Sequence, residues 1–164
     1  MNAENNISAK EFIQKVFIDE TGRLVDSGFH HFAFIIMAQG LETFGSFLDS
    51  KPLKAREQSK LRFSHAVNRL MPVKYGKLNN NHILYDQLRA SLAHTFTSSR
   101  QIYLAAREDD EYGNKHLQVV NEKLVLVAED FYIDFKKACK RLFEGMNKGV
   151  IHERKINSEF YYTF

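Results

Sequence analysis

The sequence predicts an all-α protein, an antiparallel bundle of about five helices with a short β-hairpin or irregular excursion near residues 101–120. Apolar residues recur at helical spacing through most of the 164-residue chain. The only two prolines, Pro52 and Pro72, fall between these apolar patterns. The segment "REDDEYGNK" is rich in turn-forming residues and interrupts the helical pattern. Together these features favour helices joined by short loops.

The first two helices are the most clearly patterned. Ser8 and Glu11 have the spacing of a capping box, in which two side chains bond the free amides that begin a helix. The second helix is predicted from about residue 29 to residue 48. Gly40 and Gly45 inside it would let a neighbouring helix approach closely. The apolar face of this helix consists of Phe34, Met37, Leu41, Phe44 and Leu48.

Two further helices occupy the middle of the chain. The third is predicted over residues 55–71 and ends before Pro72, because the residue that precedes a proline disfavours helical geometry. A loop, "PVKYGKLNNN", then leads into the fourth helix, "ILYDQLRASLAHTF". Asn80 or Asn81 is the predicted N-cap of this fourth helix. Its buried positions are Leu84, Leu88 and Leu92.

The pattern changes after the fourth helix. Ile102 and Leu104, then Leu117 and Val119, alternate as short strands do, and a turn-rich segment separates the two pairs. The last helix is predicted over residues 126–143, before two glycines. Its buried stripe consists of Ala128, Phe131, Phe135, Ala138 and Leu142.

Length and composition are those of one folded domain, residues 1–164. The net charge of +3, from 23 basic and 20 acidic residues, argues against non-specific nucleic-acid binding, so a phosphate site would have to be local. With a single cysteine, Cys139, no intrachain disulfide can form, and a cytoplasmic location is expected. The sequence has neither a signal-peptide pattern nor an apolar run of membrane-spanning length.

Metal and cofactor motifs are absent from the sequence. No two of the seven histidines are four residues apart, and neither an HExxH nor a CxxC motif occurs. A glycine-rich phosphate loop and a GxSxG elbow are also missing. We therefore expect no metal and no cofactor, and we expect Cys139 to pack as a small apolar residue.

An arginine and a histidine with four residues between them, Arg89 and His94, lie in the fourth helix. Arginine–histidine pairs separated by four to six residues are expected about once by chance in a chain of this composition. Arg23 and His30 form another such pair, but a helix break separates them. Spacing alone is therefore not evidence of a site.

The context of Arg89 and His94 is more specific. The segment "LYDQLRASLAH", in which Tyr85 precedes Arg89 by four residues, resembles the motif of the HEPN superfamily (higher eukaryotes and prokaryotes nucleotide-binding). The order of the predicted helices is also similar: a long second helix, the motif helix, a β excursion and a long last helix. The resemblance implies a HEPN-like helical domain that forms homodimers, in which the two motif helices meet at a cleft.

The resemblance also implies an activity, the metal-independent cleavage of RNA by attack of a 2′-hydroxyl on the adjacent phosphate. Arg89 would hold the phosphate, since a guanidinium is planar and permanently charged. His94 would transfer a proton, since imidazole titrates near neutral pH. In members with ribonuclease activity a polar residue commonly follows the arginine, but this chain has Ala90, with Ser91 one residue later.

Arg89 and His94 also have a plain structural interpretation. Residues five apart on a regular helix differ by about 140° in direction, so they do not share one face. Arg89 would then pair with Asp86, one turn earlier, and His94 would pack near the helix end. Glu42 of the long second helix is a further candidate partner for Arg89.

Other residues are weaker candidates for substrate binding. Arg62, His65 and Arg69 lie along one helix and would form either a phosphate-contacting stripe or a solvated face. Ser91, next to the motif arginine, is a third candidate contact. The terminal aromatic segment "FYYTF" would stack on bases or, as is commoner, dock on its own core or on a second subunit.

Two functions follow from the sequence. The first is a HEPN-like protein that binds RNA or a nucleotide and acts as a metal-independent endoribonuclease at a dimer cleft. The alternative is a non-catalytic helical interaction or regulatory protein that keeps only the fold, for example a member of a defence or toxin–antitoxin system. Ala90 favours the alternative.

Overall fold

A computed structural model of the chain describes residues 6–97 and 99–157, most of which are helical. Helix α1 covers residues 9–26, where two α-helical ends, Ala9–Phe12 and Thr21–Asp26, flank the wider π-type turns of Ile13–Glu20. The next helices are α2 (His30–Ser46), α3 (Ser59–Arg69) and the short α4 (Val73–Leu78). Helix α5 covers residues 83–95, and α6 is Ala128–Asn147.

The predominantly helical character is confirmed, and so is the capping box. The Ser8 hydroxyl accepts a hydrogen bond from the Glu11 N–H at 3.2 Å, and the Glu11 carboxylate accepts one from the Ser8 N–H at 2.8 Å. Helix α4 lies where the sequence indicated a loop. It follows Pro72, and its Tyr75 side chain is buried.

Aromatic side chains of three helices meet in the core. Phe44 of α2 stacks on Phe135 of α6 with ring centroids 5.1 Å apart, and Phe17 of α1 contacts Phe44 edge-on at 5.3 Å. Each such pair contributes about 0.5–1.5 kcal/mol beyond the area that it buries. Glycines allow this close packing: a side chain at Gly40 would overlap the Phe135 ring, and one at Gly45 would overlap the backbone of Arg62. The prediction that these two glycines admit neighbouring groups is confirmed.

The β excursion differs from the predicted hairpin over residues 101–120. Strand β2 (Ile102–Ala105) pairs in parallel with β4 (Lys123–Val127), and β3 (Val119–Val120) pairs with β4 in an antiparallel hairpin. The hairpin turn consists of Asn121 and Glu122, both with positive φ. The segment between β2 and β3 therefore crosses over between parallel strands, which an alternation pattern alone does not reveal.

The last helix is longer than predicted. It begins at Ala128 and continues to Asn147, so Gly145 lies inside it, where Ile151 packs against the bare backbone. Beyond it, β5 (Lys155–Asn157) pairs antiparallel with β1 (Asn6–Ser8). Among the residues that the structure describes, no helix has the length and apolarity needed to cross a membrane. The aromatic segment "FYYTF" lies outside the described residues.

Candidate functional site

Helix α5 carries the Arg89–His94 motif and is anchored at both ends. The side-chain oxygen of Asn79 accepts a hydrogen bond from the Leu84 N–H at 3.1 Å, so Asn79 caps this helix instead of the predicted Asn80 or Asn81. Phe96, with a left-handed φ of 55°, ends it. The three predicted core leucines of the helix are all buried: Leu84, Leu88 and Leu92.

The motif lies partly on π-type helix. Residues Tyr85–Ala90 have the wider π turn, and Ser91–Thr95 continue as α-helix. The Ser91 hydroxyl donates a hydrogen bond to the Asp86 carbonyl, five residues earlier, at 3.1 Å. Because a π turn holds more residues than an α turn, the angle expected between two positions on a regular α-helix does not apply here. Single π turns in helices often mark functional sites.

Arg89 forms an ion pair with Glu42 across two helices. Its Nη2 lies 2.5 Å from Oε2 of Glu42, and the two side chains are only 12% and 20% exposed. The predicted partnership with Glu42 is confirmed. The predicted Arg89–Asp86 pair is wrong, because Asp86 instead pairs with Lys60 at 2.8 Å.

The Arg89–Glu42 pair leaves hydrogen-bonding capacity unused. The Ser59 hydroxyl donates to Glu42 Oε1 at 2.7 Å, which fixes the carboxylate. The buried Nε of Arg89 and the buried Oε2 of Glu42, however, form no well-aligned hydrogen bond within the described residues, although Oε2 contacts Nη2 of Arg89. Buried polar groups in native proteins are nearly always paired. An unpaired guanidinium N–H next to a helix is suited to an additional acceptor, such as an oxygen of an anion.

Two positively charged side chains lie against the ring of Tyr85. The Arg89 guanidinium carbon and the Lys60 ammonium each lie 5.6 Å from the centroid of its ring, and Phe63 packs edge-on against the same ring at 5.7 Å. Cations at this distance from an aromatic face are attracted by its quadrupole. A lysine and an arginine therefore both lie within cation–π distance of the Tyr85 ring.

His94 differs from Arg89 in its surroundings. It lies in the last turn of α5 and is exposed. Within the described part of the chain, no hydrogen bond or ion pair joins His94 to Arg89 or to another residue. One chain therefore presents a largely buried arginine and an exposed histidine on the same helix, without contact between them.

The structure changes the interpretation of Arg62. This residue is 4% exposed, and its guanidinium bonds Asp49 at 2.7 and 3.1 Å. It also donates to the carbonyls of Leu53 and Pro52 at 2.8 and 2.9 Å. Arg62 thus fastens the loop between α2 and α3. Four of its five N–H groups are used internally, so Arg62 has little capacity left for the substrate contact that the sequence predicted.

The remaining candidates stay accessible to different degrees. His65 is partly exposed on α3, with no hydrogen bond or ion pair among the described residues. Ser91 is partly exposed, but its hydroxyl already donates within α5. Arg69 is exposed, so the predicted basic stripe is divided between a buried arginine and two accessible residues.

A second polar cluster, which the sequence did not indicate, lies under α4 and α6. The Val127 N–H donates to Nδ1 of His116 at 3.0 Å, so in the neutral ring the proton lies on Nε2. Nε2 lies 2.8 Å from the Tyr75 hydroxyl oxygen, and that hydroxyl donates to Asp134 at 3.0 Å. The cluster is therefore a directed chain of hydrogen bonds from His116 through Tyr75 to Asp134.

Two lysines at the surface balance the negative charge of Asp134 in this cluster. Lys74 and Lys137 lie 3.1 and 2.7 Å from the Asp134 carboxylate. Burial raises the pKa of Asp134, but hydrogen bonds from Lys137, Lys74 and Tyr75 outweigh it and hold the pKa below its usual range. Burial also lowers the pKa of His116. The side-chain polar atoms of His116, Tyr75 and Asp134 thus all have partners inside the protein, which indicates a structural role.

Cys139 is fully buried in α6, as the sequence predicted. Burial raises the pKa of its thiol to about 12, so the thiol stays protonated and unreactive near neutral pH. Among residues 6–97 and 99–157, no group of three or more His, Cys, Asp or Glu side chains is placed to hold a metal ion.

A scan against protein-family models and searches of the curated proteins and of the solved structures found no match to this chain. The resemblance to the HEPN superfamily therefore depends on the residues of the motif and on the order of the helices. Any function has to be argued from the geometry around Arg89 and His94.

Proposed function

We propose that this chain is a HEPN-like protein that binds RNA or a nucleotide through α5 and cleaves RNA without a metal ion. The observation that carries the proposal is the unpaired, buried Nε of Arg89 beside the Lys60 ammonium and the Tyr85 ring. A phosphate oxygen would accept the missing hydrogen bond once the Arg89 side chain turns away from Glu42 and exposes Nε. Tyr85 would offer its ring to a base, since aromatic faces stack on bases of any sequence.

Glu42 would compete with a phosphate for the guanidinium of Arg89. A phosphate that contacts Arg89 has to weaken the pair with Glu42, because the two anions would claim the same guanidinium. Glu42 contacts Arg89 through Oε2 only, because Ser59 occupies Oε1, whereas a phosphate can offer two acceptor oxygens to the arginine fork. His94 would then act as the proton-transfer group, from its own chain or from the second chain of a homodimer.

Cleavage of a labelled single-stranded RNA in EDTA tests this function. The wild-type protein should cut the RNA, His94→Ala should abolish cutting and keep binding, and Arg89→Ala should weaken both. His152→Ala and Arg23→Ala remove exposed residues of the same types outside α5 and should leave both properties unchanged. Wild-type cutting that persists in His94→Ala, or that requires a divalent metal, contradicts the proposal. Sedimentation of the wild-type protein as a monomer at micromolar concentration contradicts the dimer.

The Arg89–Glu42 pair also favours a second function, a non-catalytic interaction protein that keeps the fold. In that case the pair serves only to join α5 to α2, and Ala90 stands where a ribonuclease commonly has a polar residue. This second function predicts that the wild-type protein neither cuts nor binds RNA, and that Arg89→Ala lowers stability alone.

A further inference from the structure

A cavity of about 420 Å³ lies at the start of α2, and no residue of α5 lines it. One wall consists of His30, His31 and Phe34 of α2. The other consists of the end of β2, residues 104–106, and of the two acidic residues Glu108 and Asp109. Its volume is in the range of sites that hold a small ligand or a few side chains.

Two exposed aromatic residues flank the cavity-lining histidines in the sequence. Phe29 and Phe32 are 56% and 53% exposed, and the Phe32 ring contacts the ring of His31, which lines the cavity, at 6.3 Å between centroids. Large aromatic side chains are usually buried, and neighbouring exposed ones indicate an interaction site. The cavity itself adds apolar surface from Leu104 and Ala106, which are partly exposed.

The opposite rim is strongly acidic. Glu108 and Asp109 belong to a run of four acidic residues, 108–111, and the first turn of α6 adds Glu129 and Asp130. One arginine, Arg107, lies among these six carboxylates and already pairs with Asp130 at 2.7 Å. The chain as a whole carries a net charge of +3, so the negative potential is local to this end.

The acidic turn is held in place by its own hydrogen bonds. The Asp109 carboxylate accepts from the N–H groups of Glu111 and Tyr112 at 3.0 and 2.9 Å. The main-chain N–H of Arg107 donates to Glu129 at 3.0 Å, which joins the turn to α6. A rim that is ordered in advance costs less entropy when a partner binds.

We propose that this aromatic–acidic face (His31, Phe32, the cavity and residues 108–111) docks a basic segment of a partner protein. An apolar side chain of the segment enters the cavity, and flanking lysines or arginines pair with the carboxylates of residues 108–111. Charge complementarity identifies the occupant. A nucleic acid is repelled by the carboxylates, and a second copy in a two-fold contact would place this acidic rim against itself.

A labelled peptide of alternating lysine and leucine is the probe, and fluorescence anisotropy measures its binding to the full chain. Two peptides of equal length serve as comparisons, one with glutamate in place of lysine and one with serine in place of leucine. Saturable binding is expected for the lysine–leucine peptide alone. Equal binding of the lysine–serine peptide overturns the proposal, because charge without an apolar anchor would then suffice. Absence of binding overturns it as well.

Variants locate the binding. Phe32→Ala and Glu108→Lys should each lower the affinity for the lysine–leucine peptide roughly tenfold or more, as substitutions of hot-spot residues do. Val150→Ala and Glu144→Lys change an exposed apolar and an exposed acidic residue elsewhere and should have little effect. Circular dichroism checks that all four fold. Equal affinity in Phe32→Ala and the wild type overturns the proposal. So does a wild-type dimer that Phe32→Ala and Glu108→Lys convert to a monomer, because the occupant is then a second copy.

Discussion

Arg89 and Glu42 lie 2.5 Å apart between α5 and α2, and they form the ion pair at the centre of the candidate site. The pair has two effects that can be separated. It joins the motif helix to the long second helix, and it reserves the arginine for an internal anion. Under the proposed function, variants of Glu42 should therefore change stability and phosphate binding in opposite directions.

Glu42→Gln should lower the free energy of unfolding and raise RNA affinity. The loss of stability should be about 1–3 kcal/mol, below that of a fully buried pair, because both side chains keep some exposure. Affinity should rise because the internal competitor loses its charge. Urea denaturation and anisotropy with single-stranded RNA measure the two quantities, with Glu144→Gln as the control. Unchanged RNA affinity would show that Glu42 does not compete for Arg89.

Tyr75→Phe should destabilise the protein more than Tyr132→Phe. The first change leaves His116 Nε2 without its hydrogen-bond partner, at a cost of about 1–3 kcal/mol for a buried unpaired group. It also removes one donor from the Asp134 Oδ2, which keeps Lys74 at 3.1 Å. Tyr132 loses a single bond, to the carbonyl of Ile18 at 2.8 Å. Urea denaturation of both variants is the measurement. Equal losses of stability would mean that the hydrogen bonds joining His116, Tyr75 and Asp134 contribute no more than one ordinary hydrogen bond.

Stability should fall as the pH is lowered from 7 to 5, partly because of His116. Burial lowers its pKa in the folded state, whereas in the unfolded chain a histidine titrates near about 6.5. The neutral ring therefore stabilises the fold above that unfolded pKa, and the contribution is lost below it, by at most about 1.4 kcal/mol per pH unit. The charged groups that face the ring are Asp130, Lys74, Asp134 and Arg107.

Denaturation of the wild type and His116→Gln at both pH values isolates this contribution. The variant should be less stable at pH 7 and should lose less stability on acidification. His152→Gln, which changes an exposed histidine, should follow the wild type. An equal loss in all three proteins would assign the pH dependence to other groups.

Gly45→Ala should destabilise the protein, although alanine favours helices. Its added methyl group would overlap the backbone of Arg62, so α2 and α3 have to separate, which costs about 1–3 kcal/mol for overpacking. Gly76→Ala is the control. A methyl group there would approach only the side chain of Asn68, at 3.2 Å, so the gain in helix propensity should show. Thermal unfolding that ranks Gly45→Ala at or above the wild type would contradict the close approach.

The sequence predicted five of the six helices found in residues 6–97 and 99–157, because each buries one face of a regular pattern. It missed α4, since six residues hold too few turns to show a period and its proline and glycine are typical of loops. It also missed the partner of β2. Residues 102–105 alternate as a strand does, but nothing local says that they pair in parallel with residues 123–127.

Single polar residues were predictable only where an apolar pattern constrained them. Glu42 lies inside an apolar helix and needs a cation, which made it a candidate partner for Arg89. Arg62 gave no such indication, because its partner, Asp49, lies in the loop after α2. Along the chain, Tyr75 precedes His116 by 41 residues and Asp134 by 59 residues, and no spacing rule connects the three.

The antiparallel pairing of β1 with β5 brings the first and last residues of the described chain together. An isolated pair of three-residue strands is marginal by itself, since it gains few hydrogen bonds and little burial. This pairing should therefore open locally without unfolding of the aromatic core. In amide hydrogen exchange, Ile7 and Ile156 should exchange through such local opening. Leu41, in the middle of α2, should exchange only when the entire domain unfolds.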